Sequence, residues 1–185
     1  MKILDTELTG VKLIQLKIHG DSRGFFVERF KESVFKEAGL PTAFVQDNHS
    51  RSAPGILRGV HYQTGPAQGK LVGCVRGRIW DVAVDLRTES PTFGEWVGYE
   101  LSDTNGQLLW IPPGFGHGFC VLGDEPADVM YKVTAPYSPT GDGGVKWDDS
   151  ELAIQWPIRE PQVSARDAGL QSFAMFKANP VQDWS

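Results

Sequence analysis

The sequence contains little cysteine and no long apolar run. The first shortage argues against disulfide and zinc sites, and the second argues against a membrane-spanning protein. Only Cys74 and Cys120 are present, in separate apolar segments and without the spacing of zinc ligands. We therefore expect core thiols rather than a disulfide or a metal site. No apolar stretch approaches the length of a membrane span, and the N-terminus, MKILDTELTG, lacks the apolar region of a signal peptide. A cytoplasmic location is the default expectation.

Positive charge and clustered histidine are also scarce. The formal net charge of -5 argues against a nucleic-acid-binding protein, although a local group of basic side chains can still hold an anionic small ligand. The four histidines (His19, His49, His61 and His117) show no H-x-H spacing of the kind that places metal ligands on one strand face. A site in which His61 and His117 meet a carboxylate in space stays open at this point.

The sequence is instead rich in short β-type runs separated by glycine and proline turns. ILRGVHYQ, KLVGCVRG, EWVGYEL, QLLWIP and DVMYKVT follow one another along the chain. In RIWDVAVDL, large apolar residues alternate with Asp81, Ala83 and Asp85, which predicts a strand with two different faces. This many short strands is typical of a β-sandwich or barrel, and such folds often bind small ligands at the barrel mouth.

Two helices are expected beside these strands. The first covers residues 31–40, with Gly39 positioned to end it. The second covers residues 164–177 and opens with an S-x-x-D capping pattern formed by Ser164 and Asp167.

Several polar residues stand out within the apolar runs. In LRGVHYQ, Arg58 and His61 are three residues apart, so regular strand alternation would point them to opposite faces. An arginine inside an apolar strand favours a carboxylate or a phosphate partner. In IPPGFGHGF, a tight turn delivers His117 to the start of a strand, either as a site residue or as a half-buried histidine.

Other candidates have plain structural explanations. Lys70 could be a solvated strand end, and Tyr131 a buried tyrosine with a bonded hydroxyl. Asp167 could simply cap its own helix, and Arg23 in GDSRGFF could be a turn residue. Taken one at a time, these residues predict only a β-barrel-like protein with a polar, cationic pocket.

Taken together, ordered segments of the chain resemble the dTDP-4-dehydrorhamnose 3,5-epimerases, a family of cupin-type jelly rolls. The matching segments run from about residue 20 to 157 and are GDSRGFFVERF, FVQDNHS, ILRGVHYQ, GKLVGCVRGRIWDVAVDLR, SPTFGEWVGYELS, IPPGFGHGFCVL, YKVTAPYSP and GGVKWDDSELAIQWP, with SARDAGL following. The resemblance implies a single cupin-type domain over residues 1–185, mainly β with short peripheral helices. It also implies a thymidine diphosphate-linked 4-keto-6-deoxyhexose as substrate, and neither a metal nor a redox cofactor.

The same resemblance assigns roles to individual residues. His61 matches the general base, Asp167 the carboxylate paired with it, Lys70 a cation near the C4 oxygen, and Tyr131 the acid on the opposite face. The positions that match contacts to the nucleotide sugar are Arg23, Glu28, Gln46, Asn48, Arg58, His117, Tyr137, Asp142 and Arg166. In the family the N-terminal strand commonly contributes to a partner subunit, so we expect a homodimer with exchange of this strand, and which subunit supplies Arg23 and Glu28 stays open.

The resemblance leaves three outcomes for the activity. Double epimerisation at C3 and C5 is expected, single epimerisation at one of these carbons is the alternative, and a non-catalytic nucleotide-sugar-binding cupin is the alternative from another class. The chain also departs from the family pattern: Pro136 precedes Tyr137, Asp142 stands where glutamate is common, and Arg166 where lysine is common.

If Arg58 and His61 share one pocket, the strand that carries them must be irregular. Gly59 is the permissive position between them, so we predict a bulge or kink there that resets the face of the strand.

Overall fold

The protein, described here from a computed structural model covering residues 1–185, is built almost entirely from antiparallel β-strands. The strands are β1 (Lys2–Asp5), β2 (Lys12–Gln15), β3 (Ile18–Asp21), β4 (Gly24–Val27), β5 (Gln46–Ser52), β6 (Leu57–Gln63), β7 (Lys70–Arg76), β8 (Arg78–Asp85), β9 (Trp96–Ser102), β10 (Gln107–Ile111), β11 (Phe115–Val121), β12 (Ala127–Val133) and β13 (Asp142–Gly144). The helices are α1 (Glu32–Glu37), α2 (Ala165–Ala168) and α3 (Phe173–Ala178).

Two sheets account for eleven of these strands. The six-stranded sheet has the order β1-β2-β10-β7-β12-β5, and the five-stranded sheet the order β13-β6-β11-β8-β9. Buried side chains from both sheets, among them Val72, Leu109, Ile79 and Phe119, form one shared core. Two antiparallel sheets packed face to face in this way give the predicted jelly roll.

The remaining two strands, β3 and β4, form a hairpin that pairs with neither sheet. Its residues Phe25 and Phe26 are exposed, at 66% and 70% of their surface. Two exposed aromatic side chains on an isolated hairpin are unusual in a monomer, since a hairpin alone is at best marginally stable.

The helices are short and peripheral, as predicted, but one of the two expected helices is divided. The first ends before Gly39, whose φ of +69° suits a residue that follows a helix. The prediction of one helix over 164–177 is wrong: α2 and α3 are separated by residues 169–172. There Gln171 forms a β-bridge with Val145, and Ser172 caps α3 by accepting a hydrogen bond from the Met175 N–H.

The alternating strand in RIWDVAVDL is β8, and both of its faces are buried. Trp80, Val82 and Val84 pack under the C-terminal segment, whereas Asp81 and Asp85 point between the two sheets and are completely buried. The polar face of this strand is therefore the interior face, which places charged groups inside the barrel.

Both cysteines are buried and unpaired, which confirms the prediction of core thiols. No helix in the structure is both long enough and apolar enough to cross a membrane.

Candidate active site

The strand β6 carries the irregularity that the spacing of Arg58 and His61 requires. On the neighbouring strand β11, Phe119 pairs with Arg58 and His117 pairs with His61, so three steps along β6 match two steps along β11. The extra residue makes a bulge. Both Arg58 and His61 consequently line one cavity, as predicted.

Gly59 makes this bulge sterically possible. Its φ is +124°, a conformation that L side chains rarely adopt. A Cβ atom at this position would lie 2.5 Å from the Cα of Gly118 and 2.8 Å from the carbonyl oxygen of His117. Only glycine therefore allows the two strands to approach this closely.

His61 is bonded to a buried carboxylate. Its Nε2 lies 2.6 Å from Oδ1 of Asp167, and the backbone N–H of Gly59 donates to Oδ2 of the same carboxylate at 3.3 Å. Burial alone would raise the pKa of Asp167, but the hydrogen bonds from His61 and Gly59 outweigh it and lower the pKa, so the carboxylate is ionised. An ionised partner holds the proton of a neutral His61 on Nε2 and leaves Nδ1 as the basic nitrogen.

The capping pattern that contains Asp167 is also real, but the cap is Ser164. Its Oγ accepts the N–H of Asp167 at 3.0 Å, so the side chain of Asp167 is free to bind His61. The explanation of Asp167 as merely a helix cap is therefore wrong.

Lys70 is buried rather than solvated, so its explanation as an exposed strand end is also wrong. Its Nζ donates to the carbonyl oxygen of His61 at 3.3 Å. Burial lowers its pKa to about 8, while the negative charges of Asp142 and Asp81 oppose this effect. The result is a cation held in a poorly solvated position beside His61.

Tyr131 lies on β12 of the opposite sheet and lines the same cavity as His61. Its hydroxyl makes no hydrogen bond within the protein. The explanation of Tyr131 as a core tyrosine with a bonded hydroxyl is therefore wrong. Burial raises the pKa of this phenol, which therefore keeps its proton at neutral pH. The cavity, of about 210 Å³, lies between a base candidate on one sheet and an acid candidate on the other.

A second cavity, of about 360 Å³, adjoins the first and shares Arg58, His61 and Arg166 with it. Arg58 is held by Ser52, whose Oγ accepts from Nε at 2.9 Å. Two arginines at the junction of the cavities suit a doubly charged ligand group.

His117 belongs to a second histidine–carboxylate pair, which the sequence did not reveal. Its Nε2 lies 2.8 Å from Oδ1 of Asp81, and both side chains are buried. His61 and His117 are cross-strand neighbours, but each is bonded to a different carboxylate. No group of three or more histidine, cysteine or acidic side chains is arranged to hold a metal ion. The one sequence feature that could have indicated this pair is the position of Asp81 as a charged residue in the alternating segment that forms β8.

The other predicted contacts form a network that joins β5, β13, α2 and the loop after β12. Asp142 accepts a hydrogen bond from the Tyr137 hydroxyl at 3.0 Å and forms an ion pair with Arg166 at 2.6 Å. The N–H of Tyr137 donates to Gln46 at 3.1 Å, and Gln46 donates to Asn48 at 2.8 Å. These five predicted residues are thus brought together.

Arg23 and Glu28 are not brought to this site. Arg23, at the tip of the β3–β4 hairpin, is bonded to Asp21 and lines a separate surface pocket with Phe25. Glu28 is exposed and follows the hairpin directly. Both residues therefore lie away from the cavity of their own chain, and their contact with the ligand stays a prediction that requires the partner subunit.

Comparison with known proteins decides the family. The family model for dTDP-4-dehydrorhamnose 3,5-epimerase matches residues 5–175. The chain belongs to the dTDP-4-dehydrorhamnose 3,5-epimerase family.

Individual members of the family are similar along nearly the whole chain. The dTDP-4-dehydrorhamnose 3,5-epimerase of Shigella flexneri is 51% identical over 175 residues, covering 94% of this chain and 96% of that protein. The crystal structure of the 3,5-epimerase of Legionella pneumophila in complex with dTDP-4-keto-L-rhamnose superimposes with a TM-score of 0.91 at 46% identity, covering 96% of this chain and 95% of that one. The predicted cupin jelly roll is confirmed by this likeness.

A protein whose name describes a narrower activity is also similar. The dTDP-4-dehydrorhamnose 3-epimerase of Streptomyces niveus is 40% identical over 169 residues, covering 90% of this chain and 81% of that protein. The proteins similar to this chain therefore include one named for epimerisation at C3 alone as well as those named for epimerisation at C3 and C5.

Proposed function

We propose that this protein epimerises C3 and C5 of dTDP-4-dehydro-6-deoxy-glucose to give dTDP-4-dehydro-rhamnose. The observation that supports this most is the His61–Asp167 pair, which faces Tyr131 across one cavity with Lys70 between the sheets. A base, an acid and a cation in this arrangement suit proton transfer next to a ketone.

The chemistry follows from the position of the ketone. The protons on C3 and C5 flank C4 and are acidified by it. Nδ1 of His61 removes such a proton, and Asp167 stabilises the imidazolium that forms. The ammonium of Lys70 stabilises the enolate oxygen, and the Tyr131 hydroxyl returns a proton to the opposite face of the carbon. Because His61 and Tyr131 belong to opposite sheets, removal and return on opposite faces are geometrically natural.

The nucleotide end is assigned to the adjoining cavity and the network beside it. Arg58 and Arg166 would bind the diphosphate, because their planar guanidinium groups carry a permanent charge and bind two oxygens at once. Gln46, Asn48 and Tyr137 would contact the sugar and the base, with Asp142 holding Arg166 in place. His117 would contact the sugar from the floor of the smaller cavity.

The test is incubation with dTDP-4-keto-6-deoxy-glucose in deuterated water. We expect deuterium at both C3 and C5, measured by NMR and mass spectrometry. Deuterium at one carbon only would establish the single-epimerase alternative, which the similarity to the Streptomyces niveus 3-epimerase keeps in view. Absence of exchange at both carbons, with dTDP still bound, would establish a non-catalytic binding protein.

The homodimer is part of the same proposal. The β3–β4 hairpin pairs with neither sheet of its own chain, exposes Phe25 and Phe26, and carries Arg23 away from its own cavity. Exchange of this segment between two copies would cover the aromatic side chains and supply Arg23 and Glu28 to the partner's site. The proposal also includes a single domain that covers residues 1–185 of each chain, and a cytoplasmic location for the enzyme.

Mixing two inactive variants tests the exchange. Arg23→Ala and His61→Asn should each be inactive alone, but their heterodimer has one complete site if Arg23 acts in the partner. Unfolding and refolding a 1:1 mixture should then restore about one quarter of the wild-type rate, because half of the dimers are mixed and half of their sites are complete. A mixture that stays inactive would show that Arg23 acts within its own chain, whereas an active Arg23→Ala variant would show that Arg23 does not contribute to the site.

A further inference from the structure

Asp81 is an unusual residue for the interior of a β-barrel. It is completely buried, and while Oδ1 is bonded to His117, Oδ2 has no hydrogen-bond partner in the protein. A buried carboxylate with an unpaired oxygen is unfavourable for folding, so it calls for an explanation. The residues around it, His117 and Lys70, belong to the cavity wall.

The carboxylate of Asp81 fixes the tautomer of His117. An ionised carboxylate only accepts hydrogen bonds, so the bonded Nε2 must carry a proton. Burial lowers the pKa of His117, against the opposing charge of Asp81, while Lys70 and His61 lower it further. A neutral ring with its proton on Nε2 presents Nδ1 as an acceptor, and this nitrogen has no partner in the protein.

The hydroxyl groups of a 4-keto-6-deoxyhexose are suitable donors for such an acceptor. We propose that Asp81 is a positioning residue for the sugar: by holding the proton of His117 on Nε2, it makes Nδ1 the acceptor for a sugar hydroxyl. This rests on the proposed function, since it requires the keto sugar to occupy the cavity of about 210 Å³ that His117 lines. The negative charge of Asp81 also offsets the burial of the Lys70 ammonium, which is held at the carbonyl of His61.

Asp85 provides a matched control on the same strand. It is equally buried and also points between the sheets, but its carboxylate accepts from Arg87 at 2.7 Å, Ser90 at 2.5 Å and Thr92 at 2.7 Å. It stabilises the turn between β8 and β9 and does not line the cavity.

The experiment compares Asp81→Asn with Asp85→Asn in three measurements. These are kcat/KM for deuterium incorporation into the keto sugar, affinity for dTDP, and thermal unfolding. For Asp81→Asn we expect kcat/KM to fall about 10- to 100-fold, as for a buried hydrogen bond that is lost. Affinity for dTDP, which lacks the sugar, should stay at the wild-type level. Thermal stability should not fall, because the variant removes an incompletely paired buried charge. Asp85→Asn should lower thermal stability and leave kcat/KM unchanged.

The tautomer is measured directly by nitrogen NMR of the free protein labelled in its histidine rings, with His117→Asn used for assignment. His117 should be protonated on Nε2 in the wild type, and Asp81→Asn should move this proton toward Nδ1, because an amide can donate to Nε2. A wild-type value of kcat/KM in Asp81→Asn, or an unchanged tautomer, would overturn the inference. So would a loss of stability and dTDP affinity equal to the loss of activity. If the wild type itself exchanged no deuterium, the proposed function would fail, while the tautomer measurement would still test the Asp81–His117 pair.

Discussion

Replacing Lys70 with methionine should make the folded protein more stable at neutral pH and nearly inactive. Lys70 is 8% exposed, and burial lowers its pKa from 10.5 to about 8 even though Asp142 and Asp81 attract its charge. A pKa difference of about 2.5 between the unfolded and folded states corresponds to a cost of about 3 kcal/mol for keeping the ammonium charged in the fold. Methionine has a similar shape and no charge, so this cost disappears.

The pH dependence has a definite sign. Below pH 8 Lys70 is charged in both states, and the full cost of about 3 kcal/mol is present. Between about pH 8 and 10.5 the folded protein has lost this proton while the unfolded chain retains it, so the cost shrinks as pH rises. The advantage of Lys70→Met should therefore be largest at pH 7 and absent near pH 10.5.

The activity of the wild type should fall over the pH range in which the stability cost of Lys70 shrinks. The wild-type rate of deuterium exchange should fall as pH rises through about 8, because a neutral Lys70 no longer stabilises the enolate. Lys70→Met should lose about 10²- to 10³-fold at pH 7, as expected for removal of one group that stabilises an oxyanion.

The assays are urea unfolding at several pH values and NMR-detected exchange. Lys132→Met is the control, since Lys132 is a half-exposed lysine paired with Asp47 on the outer face of β12. It should change stability by less than about 1 kcal/mol at every pH. Two results would show that the charge of Lys70 does not destabilise the fold: a Lys70→Met variant less stable than the wild type at pH 7, or a stability difference between variant and wild type that does not shrink by pH 10.5.

Three further substitutions test other parts of the site. Gly59→Ala should destabilise by about 3 kcal/mol or more in urea unfolding, because backbone strain and a clash with Gly118 add together. Gly39→Ala, at φ +69° with no atom within 4 Å, should cost only the strain of about 1–3 kcal/mol, and equal losses would show that the close approach is unimportant. Tyr131→Phe should still exchange deuterium, but its rate of inversion of configuration at the carbon should fall about 10²-fold or more. Equal losses in the exchange rate and the inversion rate would show that Tyr131 is not the acid. Asp167→Asn should reduce exchange about 10²- to 10⁴-fold with unchanged dTDP affinity, and a collapse of dTDP affinity would assign Asp167 to the nucleotide instead.

The strands were predictable because their signals are local. Alternation, β-branched residues and glycine or proline turns lie within each segment, and the structure has strands in each of the runs quoted from the middle of the chain. The helix over 164–177 was mispredicted because its interruption is tertiary. Gln171 gains a strand-like bridge to Val145, and Ser172 starts a new helix, which together outweigh the helical tendency of the continuous segment.

The site was only partly predictable for the same reason. Family resemblance placed Arg58 and His61 in one pocket, and because they are three residues apart, the conflict with strand alternation then predicted the bulge at Gly59 that the register confirms. Asp167 was found only through family resemblance, because 106 residues separate it from His61 and no local pattern joins them. Asp81 was not found, because an aspartate in an alternating strand usually faces water rather than the interior.

The two aspartates on the inner face of β8 show how one residue type can serve either stability or function. The charge of Asp85 is compensated within the fold by Arg87 and two hydroxyl groups. Asp81, four residues earlier and equally buried, bonds one oxygen to His117 and leaves the other without a partner. Stability alone would favour an apolar residue of similar size there, since an incompletely paired buried charge is unfavourable. The position of Asp81 beside the cavity therefore reflects a requirement of the ligand rather than of the core.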